Sequence, residues 1–242
     1  MLNIRVLIII WLNFILKIQA ENIMARLYYS ISMAGFMSRD RKFSIERIIN
    51  EERIVSCYQP VISIKRKQII GYEALSRGVN EHTGNLISPL ELISEAEKYG
   101  LILDLDRLFR KKVLENFAKY YSENPGTILS INLDSSAIHS GFGSKHFFKA
   151  VEGCGINPSS IIIEILESEV EDINVLVDFV DRYRDHGFMI AMDDFGAGFS
   201  NWDRILKHKP DLIKLDISVI RDIDSDFLKQ EVARSLIKLS HN

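Results

Sequence analysis

Five apolar segments of this 242-residue chain each deliver a polar or charged side chain at or near their carboxyl end. They carry Glu73 in GYEALSR, Asn132 in LSINLD, Glu164 in IIIEILE, Asp193 and Asp194 in MDDFG, and Lys214 with Asp216 in LIKLD. Carboxylate and amide oxygens are hard donors that suit magnesium or manganese better than zinc, and no histidine cluster competes for the role. Three or four carboxylates buried together without counter-charge would be strongly unfavourable, and a pair of bound cations removes that cost. Two such ions favour in-line displacement at phosphorus, because they ionise a water and stabilise the oxygens that gain charge. Lys214 would add positive charge there or orient the water. Arg77, just past Ala74 and Leu75, is suited to gripping a second phosphate. The chemistry this set supports is metal-dependent phosphoester hydrolysis.

Taken singly, each residue has a plainer explanation. Glu73 alone reads as a surface acid, Asn132 as a turn former, and Lys214 as a snorkelling lysine. The Asp193–Asp194 pair alone reads as a helix cap plus a solvated turn acid. Glu164 resists this treatment, because its segment is otherwise wholly apolar. The ordered set carries the signal.

The elements that must position these residues are legible from periodicity. Residues 127–133, 161–166, 188–192 and 211–215 are short apolar runs, separated by amphipathic stretches at 145–154, 172–186 and 202–207. A final helix is expected at 227–239. Buried strands alternating with helices imply a parallel sheet covered by helices. Upstream, residues 54–64 and 68–75 read as an antiparallel hairpin across a polar turn. Residues 77–88 read as a polar loop, and 89–99 and 104–121 as helices, the first starting at Pro89. A further helical segment is expected at 43–52.

Length and composition narrow the class. The chain fits one large domain or two small ones, and 47% hydrophobic residues support a sizeable core. A net charge of −3 gives no electrostatic case for a nucleic-acid polymer or an anionic membrane. Cys57 and Cys154 make no metal-type spacing, so a reduced, cytoplasmic setting is expected. Residues 6–16, VLIIIWLNFIL, form an apolar run shorter than a membrane span. Three readings of it stand open: an N-terminal membrane anchor, a signal-like segment, or an extension ahead of a later start. Residues 1–42 are accordingly set apart from 43–242.

The blocks YQPVISI, IIGYEALSR, SINLD, IIIEILESE, AMDDFGAGFSN and PDLIKLD resemble, in order and spacing, the EAL family of cyclic di-GMP phosphodiesterases. The tripeptide alone is trivial, but the ordered blocks over residues 54–218 are specific. The resemblance implies an α/β, TIM-like (β/α) barrel whose first strand runs antiparallel. It implies a two-metal site for Mg²⁺ or Mn²⁺, with Glu73, Asn132, Glu164 and Asp193 on the first ion and Asp194 near or on the second. It further implies that Lys214 assists the water, that Gln59, Leu75, Arg77 and Asp216 serve the substrate, and that Glu167 braces the loop after the aspartate pair. Cyclic di-GMP is the implied partner, and a homodimer is left open.

Three departures temper the resemblance. Leu166 stands where the family has a threonine near the metals, and FGAGFSN loses another hydroxyl. The family's later glutamate and QGY-like blocks do not follow residue 218. The expectation is therefore an incomplete barrel of about six of eight strands, with residues 211–215 as an exposed edge. Two functions stay in view: hydrolysis of cyclic di-GMP to linear pGpG, impaired by the shortening, or an inactive module that binds the dinucleotide or another protein.

Overall fold

The computed structural model describes residues 5–6, 43–133, 138, 143–166, 172–196, 207 and 209–240. In chain order the elements are β1 (Arg5–Val6), α1 (Ile45–Asn50), β2 (Ile54–Ser63), β3 (Gln68–Val79), β4 (Leu86–Ile87), α2 (Pro89–Lys98) and α3 (Ile102–Glu123). There follow β5 (Ile128–Leu133), α4 (Gly143–Gly153), a 3₁₀ turn (Pro158–Ser160), β6 (Ile161–Leu166), α5 (Ile173–Asp185), β7 (Met189–Phe195), β8 (Leu212–Leu215), α6 (Ile217–Ile220) and α7 (Phe227–Ser240). The chain divides into two compact units: Met1–Trp11, Tyr58–Ala74 and Leu114–Asn242 form one, Leu12–Cys57 and Leu75–Val113 the other.

The first unit is built on a sheet of order β1-β8-β7-β6-β5-β3-β2 among the described residues. Strands β3, β5, β6, β7 and β8 run parallel. Strand β2 returns antiparallel to β3 through a tight turn in which the Lys67 N–H donates to the Ser63 carbonyl at 2.7 Å. This is the α/β, TIM-like class with an antiparallel first strand that the sequence led one to expect.

Side chains two residues apart share a face of a strand, and the register uses this to stack two layers. Ile128, Ile162, Met189, Ala191 and Leu212 form an apolar layer. The next layer toward the strands' carboxyl ends holds Glu73, Ser130, Glu164, Asp193 and Lys214. Strands β3 and β5 leave no room for a side chain at Gly71, where a Cβ would lie 2.5 Å from the Ile128 carbonyl oxygen and 2.6 Å from its Cβ. Backbone cannot yield as a side chain does. Gly71→Ala is therefore expected to destabilise the protein by about 1–3 kcal/mol, the usual cost of overpacking, measured as a lower denaturation midpoint.

The opposite face of β7 and β8 buries Met192, Phe195, Ile213 and Leu215 with Leu236 of α7. One expectation fails here. Residues 211–215 were predicted to be a bare edge, yet β1 lies parallel along β8, with Arg5 opposite Leu212 and Val6 opposite Ile213. All four residues of β8 are buried. The unpaired amides and carbonyls of an edge strand are a template for any β-prone segment, and the N-terminal strand supplies one. The rest of the apolar run, residues 7–16, lies outside the described residues. No helix among the described residues is long and apolar enough to cross a membrane.

The second unit packs Ile45, Ile48, Ile54, Ile87, Leu92, Ala96, Leu105 and Leu108 into its own core. Helix α2 begins with a reciprocal cap, Ser88 Oγ accepting from the Glu91 N–H while a Glu91 carboxylate oxygen accepts from the Ser88 N–H. The predicted loop at 77–88 is shorter than expected. Strand β3 continues to Val79, where Gly78 and Val79 pair antiparallel with Ile87 and Leu86. Gly78 allows this: its missing Cβ would meet Leu92 Cδ2 at 2.9 Å. The turn that follows is held by Asn80 Oδ1, which accepts from the His82 and Thr83 N–H groups.

Candidate active site

Glu73 from the middle of β3 comes together with Asn132, Glu164, Asp193 and Lys214 at or near the carboxyl ends of β5, β6, β7 and β8. Lys214 is the hub. Its Nζ lies 2.6 Å from Glu164 Oε2, 2.8 Å from Asp193 Oδ2 and 3.5 Å from Glu73 Oε2. Asn132 Nδ2 donates to Glu73 Oε1 at 3.4 Å. Ser130 Oγ donates to Glu164 Oε1 at 2.5 Å.

The electrostatics follow from this packing. Glu164 is 2% exposed. Burial pushes its carboxyl up to about 8, against the pull of Lys214 and with further upward pressure from Glu73 and Asp193. Burial works against the Lys214 charge, yet Glu164, Glu73 and Asp193 outweigh it and hold the ammonium above its ordinary range. An acid whose folded pKa is raised contributes stability that is present below the usual carboxylate range and lost as pH rises toward the raised value. Between pH 5 and 8, melting temperature should therefore shift in favour of Glu164→Gln relative to wild type, read by calorimetry without divalent ions.

Local backbone geometry explains how two neighbouring aspartates reach the same rim. The β7–β8 register breaks between Met192 and Phe195, and Asp194 takes φ = 54°. Aspartate tolerates this left-handed conformation better than most residues. Its N–H turns back to donate to Asp193 Oδ1 at 2.8 Å, leaving Asp193 Oδ2 for Lys214. The Asp194 carboxyl is raised by burial and then by Asp193 and Asp216. Gly196 completes the bend at φ = 99°, where a Cβ would sit 2.5 Å from Val219 Cγ2.

Other predicted residues stand differently. Asp216 caps α6, its carboxylate accepting from the Ser218 N–H at 2.8 Å. Burial raises its pKa, but those cap bonds outweigh the effect and lower it. Gln59 on β2 has its Oε1 buried without a hydrogen-bond partner among the described residues. Leu75 and Arg77 belong to the second unit, both half-buried, and the Arg77 guanidinium donates to the Ser76 carbonyl at 2.8 Å. Glu167 lies outside the described residues. Ser130 was not anticipated, although the alternation of β5 puts it on the face of Asn132.

Among the described residues, no three acidic, histidine or cysteine side chains stand arranged to hold a metal ion. The oxygens converge on the Lys214 ammonium instead. The donor chemistry nevertheless fits a hard divalent cation, since every converging group apart from that ammonium can offer oxygen.

Residues 43–242 match the family model described as the EAL domain. The chain belongs to the EAL domain family. It is 32% identical over 171 residues to the Escherichia coli K12 protein named "Probable cyclic di-GMP phosphodiesterase PdeI", covering 69% of this chain and 22% of that one. It is 30% identical over 176 residues to "Probable cyclic di-GMP phosphodiesterase PdeB" of the same organism, covering 73% and 34%. This EAL chain thus spans about a third or less of the length of these relatives. A solved structure of a standalone EAL protein from Vibrio cholerae O395, in its c-di-GMP-bound form, superposes with a TM-score of 0.66. It is 28% identical, with 77% of this chain and 76% of that chain covered.

Proposed function

We propose that this EAL chain hydrolyses cyclic di-GMP to linear pGpG in a reaction that depends on Mg²⁺ or Mn²⁺. The observation that carries the reading is the convergence of Glu73, Glu164 and Asp193, from three strands of one parallel sheet, on the Lys214 ammonium. Family membership supplies the substrate. Glu73, Asn132, Glu164 and Asp193 would hold one ion, and Asp194 would serve a second. When bound, two such ions acidify a water and offset charge on the phosphoryl oxygens. Lys214 keeps a positive charge beside the reacting phosphate and orients the attacking water. The water oxygen bonds to phosphorus, the P–O3′ bond breaks, and the proton passes to the departing 3′ oxygen. Gln59, whose buried Oε1 awaits a donor, is suited to a guanine N–H. Leu75 and Arg77 are assigned to the substrate, and Glu167 to bracing the loop after Asp194.

A specific observation favours a second reading. Lys214 already contacts Glu73, Glu164 and Asp193, and burial favours a proton on Glu164, so part of the cluster's charge is answered without metal. On that reading the domain binds the dinucleotide and does not cleave it. Chromatography of cyclic di-GMP incubated with the chain and Mn²⁺ separates the two: linear product supports the first, and intact bound dinucleotide supports the second.

A further inference from the structure

Glu164 is held from both sides by different chemistry. Its Oε2 faces the Lys214 ammonium at 2.6 Å, and its Oε1 accepts the Ser130 hydroxyl at 2.5 Å. Both side chains are almost wholly buried, Ser130 at 3% and Glu164 at 2% exposure. Beneath them lies the apolar layer of Ile162, Ala191 and Leu212, which offers no side-chain donor. The final torsion of a glutamate is soft, so the side chain by itself does not fix the plane of its carboxylate. A buried carboxylate oxygen without a partner would be costly. The hydroxyl therefore fixes that plane from the side opposite the ammonium.

We propose that Ser130 is a positioning residue, whose hydroxyl holds one oxygen of Glu164 and so fixes the carboxylate plane with its other oxygen toward a divalent cation at the strand ends. This rests on the reading of Glu164 as a metal ligand. Groups that hold a ligating carboxylate in place commonly account for 10–100-fold in metal affinity. Ser130 can do so from β5 because Ser130 and Glu164 project from the same face of adjacent strands, two residues out of register.

The test is Mn²⁺ titration of the full chain, followed by electron paramagnetic resonance of free Mn²⁺ and by Mn²⁺-induced shift of the melting temperature. Wild type, Ser130→Ala, Ser130→Thr and Glu164→Gln are compared, together with the Ser130→Ala/Glu164→Gln double variant. Ser130→Ala should weaken Mn²⁺ binding about tenfold. Ser130→Thr, which keeps the hydroxyl, should stay near wild type. In the Glu164→Gln background, removal of the hydroxyl should leave the residual Mn²⁺ response unchanged, which a general packing defect would not do. Wild-type Mn²⁺ affinity in Ser130→Ala would overturn the proposal while leaving the metal reading standing. No Mn²⁺ binding by the wild-type chain would overturn the metal reading and the proposal together.

Discussion

Glu164→Gln is expected to reduce cyclic di-GMP hydrolysis by more than about 100-fold, beyond the loss usual for an outer-sphere partner of a metal ligand. The change is nearly isosteric, so the strand and its apolar layer have no reason to move. What changes is the charge. A neutral amide can still accept from Ser130, but its NH₂ would face the Lys214 ammonium, two donors in place of a charge-assisted bond. It also offers a divalent ion a weaker oxygen than a carboxylate does. The diagnostic feature is the separation of activity from stability. Because burial makes the wild-type charge costly, any stability deficit of the variant relative to wild type should be smaller at pH 8 than at pH 5. Steady-state rates with saturating Mn²⁺, set beside melting curves, check both halves. Substantial retained turnover would remove Glu164 from the reacting centre.

Lys214→Met should have the opposite profile, with a large stability loss that metal can repair. Deleting the ammonium leaves Glu164, Asp193 and Glu73 facing one another at the buried end of the sheet. Breaking a buried pair in this way costs about 3 kcal/mol or more. In a chain of this size that corresponds to a drop of about 6 °C or more in melting temperature. Divalent ions would then serve as the missing counter-charge, so Mn²⁺ should raise the melting temperature of the variant more than that of wild type. Lowering the pH should repair it too, since protonated carboxyls no longer repel. Turnover should fall in parallel, because the charge beside the phosphate is gone. If Mn²⁺ stabilised wild type and variant equally, Lys214 and the cation would not be sharing the same oxygens.

The reacting groups were legible because buried strands leave little room for ambiguity. A glutamate within IIIEIL or a lysine within LIKL has to be answered by some partner, and the two answer each other. The parallel sheet followed from the same apolar runs. Backbone irregularity was not legible. The register break between Met192 and Phe195 and the left-handed φ of Asp194 are not encoded in the letters DD. Ser130 was passed over because a serine in a strand is chemically ordinary until a carboxylate is found 2.5 Å away. The continuation of β3 to Val79 was hidden by Ser76 and Arg77, whose polarity resembles a loop's. The pairing of β1 on β8 joins segments some two hundred residues apart, beyond the reach of any local pattern.

The most direct test of the central claim is chromatography of cyclic di-GMP after incubation with the purified chain, with Mg²⁺ or Mn²⁺ and with a chelator. Linear pGpG appearing with metal, and absent with chelator or in Glu164→Gln, is the predicted result. A folded, Mn²⁺-loaded chain that leaves cyclic di-GMP intact would contradict it.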